Sequence, residues 1–218
     1  MRLNADFSQP VVILPGDVPW VPSPLAGVER QMLDRIGDEL ARATSIVRYA
    51  PGSQFSAHGH PGGEEFLVLD GVFSDERGDY PAGTYVRNPI GSRHTPFSRE
   101  GCTIFVKLMQ FAAQDQAQVV IDTCAAVWPP AQLSGLRELA LHQHGSERVL
   151  MQHWQPGTQG SLQQYPGGAE WLVLEGSLQD ERGEYPAGSW LRCPPGFAHT
   201  PFSAEGCRVW LKSGHLPA

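Results

Sequence analysis

The sequence is poor in the features that mark membrane, secreted or nucleic-acid-binding proteins. Cysteine is scarce: Cys102, Cys124, Cys193 and Cys207 are the only four in 218 residues, and no two form a Cys-x-x-Cys pair. Neither a thiolate zinc site nor a dithiol redox motif is therefore signalled, and buried thiols in a reducing cytoplasm are expected. Basic residues are outnumbered, with 16 Lys and Arg against 23 Asp and Glu and a net charge of −7. That balance repels a phosphate backbone, so no nucleic-acid partner is expected. No apolar run approaches the roughly 20 residues of a membrane helix. The segment from Met1 to Trp20 has no basic cluster followed by an apolar stretch, as a signal peptide would. A soluble, cytoplasmic chain without a membrane partner is the expectation. The sequence also has no Gly-x-Ser-x-Gly elbow, phosphate-binding loop or dinucleotide fingerprint. Helical periodicity is scarce too. The best helix is Gly27–Ala43, where Val28, Met32, Leu33, Ile36 and Leu40 recur at helix-like spacing, although the same stretch could pair as a strand.

Glycine (24) and proline (19) are abundant without any low-complexity tract, which points to many tight turns and a β-rich fold. An internal repeat organises them. Pro51–Lys107 and Pro156–Lys212 match without a gap at 32 of 57 positions, sharing Asp-Glu-Arg-Gly, Tyr-Pro-Ala-Gly, His-Thr-Pro-Phe-Ser and Glu-Gly-Cys. A gapless duplication implies two copies of one backbone. Within each copy, short runs such as Glu65-Phe-Leu-Val-Leu, Gly83-Thr-Tyr-Val-Arg and Thr103-Ile-Phe-Val-Lys read as strands. Asp75-Glu-Arg-Gly78 reads as a hairpin turn. Two β-domains are expected, 1–112 and 113–218. Trp20 and Trp128, each closely followed by proline, mark the start of each unit.

The first copy carries a metal-binding constellation. His58 and His60 alternate along a strand and so point to one face. Glu64 follows a Pro-Gly-Gly turn, and His94 comes from a distant strand. Three imidazoles and a carboxylate suit zinc, iron(II), manganese or nickel. A tetrahedral zinc would be saturated by them, and an octahedral iron would keep two positions open. Glu65, one step out of phase, should face away and do a structural job through a hydrogen bond or a surface salt bridge. The second copy has Gln163, Tyr165 and Ala169 where the first has His58, His60 and Glu64, and keeps only His199. No second metal is expected there. His199 reads as a barrel histidine hydrogen-bonded to Tyr165 or Gln163, or with those two as the lining of a metal-free ligand pocket. Trp171, Trp190 and Trp210 replace Phe66, Tyr85 and Phe105, and these larger rings are expected to fill the space the metal left. His142 and His144 read as surface strand residues, and Cys193 as facing the second pocket.

The two blocks, Gly52 to Gly71 and Gly83 to His94, resemble the two motifs of the cupin superfamily, with Ser98 where the general pattern has Asn. The run His58-Gly-His60-Pro-Gly-Gly-Glu64-Glu65-Phe-Leu-Val-Leu-Asp-Gly71, followed by Phe73-Ser-Asp-Glu-Arg-Gly78, Gly91-Ser-Arg-His94 and Glu100-Gly-Cys102, is similar to the ChrR-type cupin. That cupin is the C-terminal domain of anti-sigma factors. The resemblance covers Trp20–Phe111 well and the second copy more loosely. It implies an all-β fold of tandem double-stranded β-helix (jelly-roll) barrels, a bicupin. It also implies one divalent metal per chain, with zinc first and iron, manganese or nickel as alternatives, on His58, His60, Glu64 and His94. In function it implies a sensor or regulatory module responding to a small-molecule ligand or signal in oxidative stress. Related stand-alone cupins resemble metal-dependent dioxygenases of diketones and hydroxyacetophenones. A non-catalytic ligand-binding bicupin is a further alternative. ChrR-type anti-sigma factors grip their sigma factor with a helical zinc domain bearing His-x-x-x-Cys-x-x-Cys. This sequence has no such motif, so sigma-factor binding by this chain alone is not expected. A homodimer is left open.

Overall fold

The computed structural model describes residues 1–38 and 40–217, and every helix-or-strand element among them is a β-strand. None of the described residues form a helix long and apolar enough to cross a membrane. The chain divides into two compact units, Met1–Ala5 with Val18–Ala126, and Asp6–Asp17 with Val127–Ala218.

In the first unit, the central strand Glu64–Asp75 is 12 residues long and serves two sheets. Its first half pairs antiparallel with Cys102–Leu108 and Thr84–Asn88, and its second half with Gly78–Pro81 and Phe97–Ser98. The change of sheet occurs at Gly71, which takes φ +70°, and a Cβ there would lie 2.2 Å from the Gly101 carbonyl oxygen. Only glycine fits both the backbone and the space. The Gly176 twin does the same in the second unit, where a Cβ would lie 2.0 Å from the Gly206 oxygen. Between the sheets lies an apolar core that includes Val28, Phe66, Phe73, Val86, Ile104 and Val106. The Asp75–Gly78 turn closes a hairpin, as its sequence suggests. Ser98, at the position where the motif has Asn, donates its hydroxyl to the Val72 carbonyl at 2.7 Å.

The expected helix is not there. Val28–Gly37 and Ala41–Tyr49 are strands that pair with each other. The register shifts between Met32 and Asp34, so Val28 is buried in one phase and Leu33 in the next. This β-bulge breaks the two-residue alternation and leaves apolar spacings that mimic a helix.

The leading segment of each repeat completes the unit of the other. Val119–Asp122 pairs with Thr84–Asn88 in the first unit, and Val11–Ile13 pairs with Trp190–Cys193 in the second. Each compact unit thus draws a segment from the other half of the chain. Otherwise the second unit repeats the first, with the order Leu136–His144, Glu147–Trp154, Cys207–Ser213, Ala169–Asp180, Trp190–Cys193. Its core includes Trp171, Leu178, Val209 and Leu211. Cys102, Cys193 and Cys207 are buried, whereas Cys124 is exposed, contrary to the expectation for all four. Cys193 sits in the second core, and burial pushes its thiol up to about 12, so it is no reactive thiolate.

Candidate metal centre

The four residues His58, His60, Glu64 and His94 are brought together. His58 and His94 lie directly opposite each other on the paired strands His58–Gly59 and Arg93–His94. His60 follows on the same face as His58, and Glu64 opens the long central strand. The three imidazole centroids are 4.7 to 5.2 Å apart. One ligand atom from each of the four residues lies within 4.8 Å of all the others. Glu64 Oε2 is 3.5 Å from His60 Nε2 and 3.6 Å from His94 Nε2.

The surrounding hydrogen bonds set the tautomer of every imidazole. His94 Nδ1 donates to Asp75 Oδ2 at 3.2 Å, and His58 Nδ1 to the Ser56 carbonyl at 3.2 Å. The Ser92 hydroxyl donates to the Pro89 carbonyl at 2.6 Å, so its oxygen accepts from His60 Nδ1 at 3.0 Å. Each ring thus carries its proton on Nδ1 and turns the Nε2 lone pair toward the centre. Asn88 Nδ2 donates to Glu64 Oε2 at 3.0 Å and orients the carboxylate.

His60 and His94 are 4% and 2% exposed, and the Nε2 atom of each is buried with no hydrogen-bond partner. Two orphaned lone pairs beside a carboxylate are what a divalent cation would satisfy. Burial, reinforced by His58 and Arg77, lowers His60 to about 4. Burial likewise lowers His94, against the pull of Glu64. Both rings are therefore neutral at pH 7, the form that ligates a metal.

A cavity of about 280 Å³ opens onto this cluster, walled by Tyr49, Phe55, Phe73, Val106, Leu108 and Met109 among others. Its size is at the small end of the range for organic ligands. Burial, and secondarily Glu64, pushes the Tyr49 phenol well above its ordinary value, so Tyr49 keeps its proton there.

Glu65 faces the other way. Its Oε2 accepts from Arg87 at 2.8 Å and from the Tyr85 hydroxyl at 2.7 Å. The expected structural bond is present, but it is buried rather than at the surface, since Glu65 and Arg87 are 1% and 0% exposed.

In the second unit, Gln163 stands opposite His199, as His58 stands opposite His94. His199 bonds neither Gln163 nor Tyr165. Its Nδ1 donates to Asp180 Oδ2 at 3.0 Å. The ring is enclosed by Tyr165, Trp171 and Phe197, with centroids 5.0 to 5.8 Å away. Of the three enlarged rings, Trp171 alone belongs to the core cluster beside His199, and Trp190 and Trp210 fall outside it. Gln163 and Tyr165 line a cavity of about 80 Å³ with Glu138, Gln152 and Trp154, and His199 is not among its lining residues. His142 and His144 are half-buried on the strand Leu136–His144.

Sequence reasoning missed Asp75, Ser92 and Asn88, which orient His94, His60 and Glu64. A signal existed for Asp75, because the second copy keeps both it and its partner as Asp180 and His199.

No curated protein sequence matches the chain. Among solved structures, a "putative dioxygenase" from Nostoc punctiforme aligns with TM-score 0.77 and 15% identity over 94% of this chain and 82% of that one. The bacterial pirin of Escherichia coli in complex with nickel(II) aligns with TM-score 0.70 and 13% identity over 96% and 99%. A variant of Bacillus subtilis oxalate decarboxylase aligns with TM-score 0.62 and 13% identity over 95% and 78%. At these identities the likeness is one of fold. A family model, the ChrR Cupin-like domain, matches residues 8–112 and again 116–217. The chain belongs to the ChrR Cupin-like family and carries two copies of its domain.

Proposed function

We propose that the chain is a mononuclear metal-dependent oxygenase of small carbonyl compounds, with the metal in the first unit and the second unit as a metal-free scaffold. The observation that carries this reading is the convergence of three imidazoles and the Glu64 carboxylate at the foot of a cavity walled mainly by apolar side chains. When bound, a divalent ion would supply Lewis acidity and, if iron, redox chemistry with dioxygen. Zinc, nickel and manganese suit the same donors, and the fold neighbour solved with nickel(II) favours a transition metal. The chain's own residues do the rest. Phe55, Phe73 and Val106 give the approach an apolar wall, and protonated Tyr49 can donate to an oxygen of the bound molecule. Asp75, Ser92 and Asn88 keep the ligands in place.

One observation favours a second reading. The family match is to the cupin domain of ChrR, so a sensor or regulatory role in oxidative stress would use the same centre without turnover. Oxygen uptake by iron-, nickel-, manganese- and zinc-loaded protein, with a panel of diketones and aromatic ketones, separates the two. Uptake that requires both metal and ketone supports the oxygenase. Metal-loaded protein that consumes no oxygen with any of them, and whose stability or shape responds to peroxide, supports the sensor.

A further inference from the structure

The cavity above the His58, His60, Glu64 and His94 cluster holds a positive charge with no counter-ion among the described residues. Arg30 lies two residues after Val28 on the strand Val28–Gly37, so the two share a face. Val28 is part of the core, and Arg30 lines the cavity. The Arg30 Nε is buried without a hydrogen-bond partner. No carboxylate among the described residues pairs with its guanidinium. The adjacent Glu29 is already engaged with Arg48 at 2.6 Å. A half-buried guanidinium without a counter-ion leaves its charge facing the cavity that it lines.

The second unit supplies the comparison. There Glu138 takes the place of Arg30, opposite Gln152 rather than Val47. Its carboxylate is satisfied: Gln152 Nε2 donates to Glu138 Oε1 at 2.7 Å, and Trp154 Nε1 donates to Gln152 Oε1 at 3.1 Å. That closed chain lines a cavity of about 80 Å³, whereas the Arg30 cavity is about 280 Å³. One unit has narrowed this position and hydrogen-bonded its side chain. The other has kept it open, with a cation in place of the carboxylate, and it is the unit with the His58, His60, Glu64 and His94 cluster.

The charges facing the larger cavity decide the ligand class. Glu64 is the one carboxylate among its described lining residues. A divalent ion held by Glu64 leaves a net positive charge, and Arg30 adds another. We propose that Arg30 is a specificity-determining residue that binds the carboxylate of a small organic acid, whose carbonyl end reaches the metal centre. The substrate class is then a short keto acid rather than a neutral diketone. This rests on the metal-centre reading above.

A matched pair of probes tests it. Levulinate and 2,5-hexanedione have the same length and differ by a carboxylate against a methyl ketone. Each is titrated by ligand-observed NMR into zinc-loaded full-length protein, wild type and the Arg30→Met, Arg30→Lys and Arg30→Glu variants, with zinc content and melting temperature measured for all. The expected result is wild-type binding of levulinate about tenfold or more tighter than of the diketone. Arg30→Met should erase that preference with zinc retained, Arg30→Lys should keep part of it, and Arg30→Glu, which copies the second unit, should abolish levulinate binding. Equal wild-type binding of both probes, binding of neither, or levulinate binding unchanged in folded Arg30→Met or Arg30→Glu would overturn the proposal. A wild-type protein that holds no zinc overturns the metal-centre reading and this proposal together. A zinc-loaded protein with no levulinate preference overturns this proposal alone.

Discussion

His94 donates its Nδ1 proton to Asp75 across 3.2 Å, and the same bond recurs between His199 and Asp180 at 3.0 Å in the unit that has Gln163, Tyr165 and Ala169 in place of His58, His60 and Glu64. The tyrosine beside each carboxylate is kept as well: Tyr80 donates to Asp75 at 3.1 Å and Tyr185 to Asp180 at 2.9 Å. The pair therefore belongs to the barrel in both units. In the first unit it also fixes a ring of the candidate metal centre.

The two carboxylates should then respond differently to removal. Asp75→Ala frees the His94 ring and should weaken metal affinity by about 10- to 100-fold, measured by competition with a chromophoric chelator. Asp180→Ala should leave metal affinity unchanged and appear only as lost stability in urea unfolding.

Neighbouring glutamates should show the opposite split. Glu65 is buried against Arg87, and removing one partner of such a pair strands a charge. Glu65→Ala should cost about 3–5 kcal/mol in urea unfolding, with one metal still bound by the folded protein. Glu64→Ala should lose metal while its unfolding midpoint without metal changes little. Equal effects of the two variants on metal content would contradict the assignment of opposite faces.

Metal-free protein should lose stability as the pH falls. Burial lowers His60 from 6.5 to about 4 and lowers His94 as well. Between those values the unfolded chain takes up protons that the folded chain refuses, so acid favours unfolding. The stability these rings contribute is fully present above about pH 6.5 and is lost as the pH falls toward about 4. Urea unfolding across that window should show the decline, and His60→Gln should make it shallower. A pH-independent midpoint would contradict the neutral state of His60.

Much of this was legible in the residues. The gapless repeat made two like barrels unavoidable, and alternation along a strand placed His58 and His60 on one face and Glu65 on the other. Three features were hidden for physical reasons. The bulge between Met32 and Asp34 shifts the inward phase by one residue, so the strand carries apolar spacings that belong to a helix. Val119–Asp122 reads as an apolar run, yet nothing local reveals that its partner is Thr84–Asn88 in the preceding copy. Asp75 reads as a turn residue and is one, since its Oδ1 accepts the Arg77 N–H at 2.8 Å. Its other oxygen holds His94, a contact across 19 residues of chain that turn propensity does not encode.

The central claim is one metal site in two otherwise similar barrels. Elemental analysis of the purified wild type, His60→Ala and His199→Ala tests it most directly. The expected result is one divalent metal per wild-type chain, none above background in His60→Ala, and one in His199→Ala. Two metals per wild-type chain, or a metal lost with His199, would contradict it.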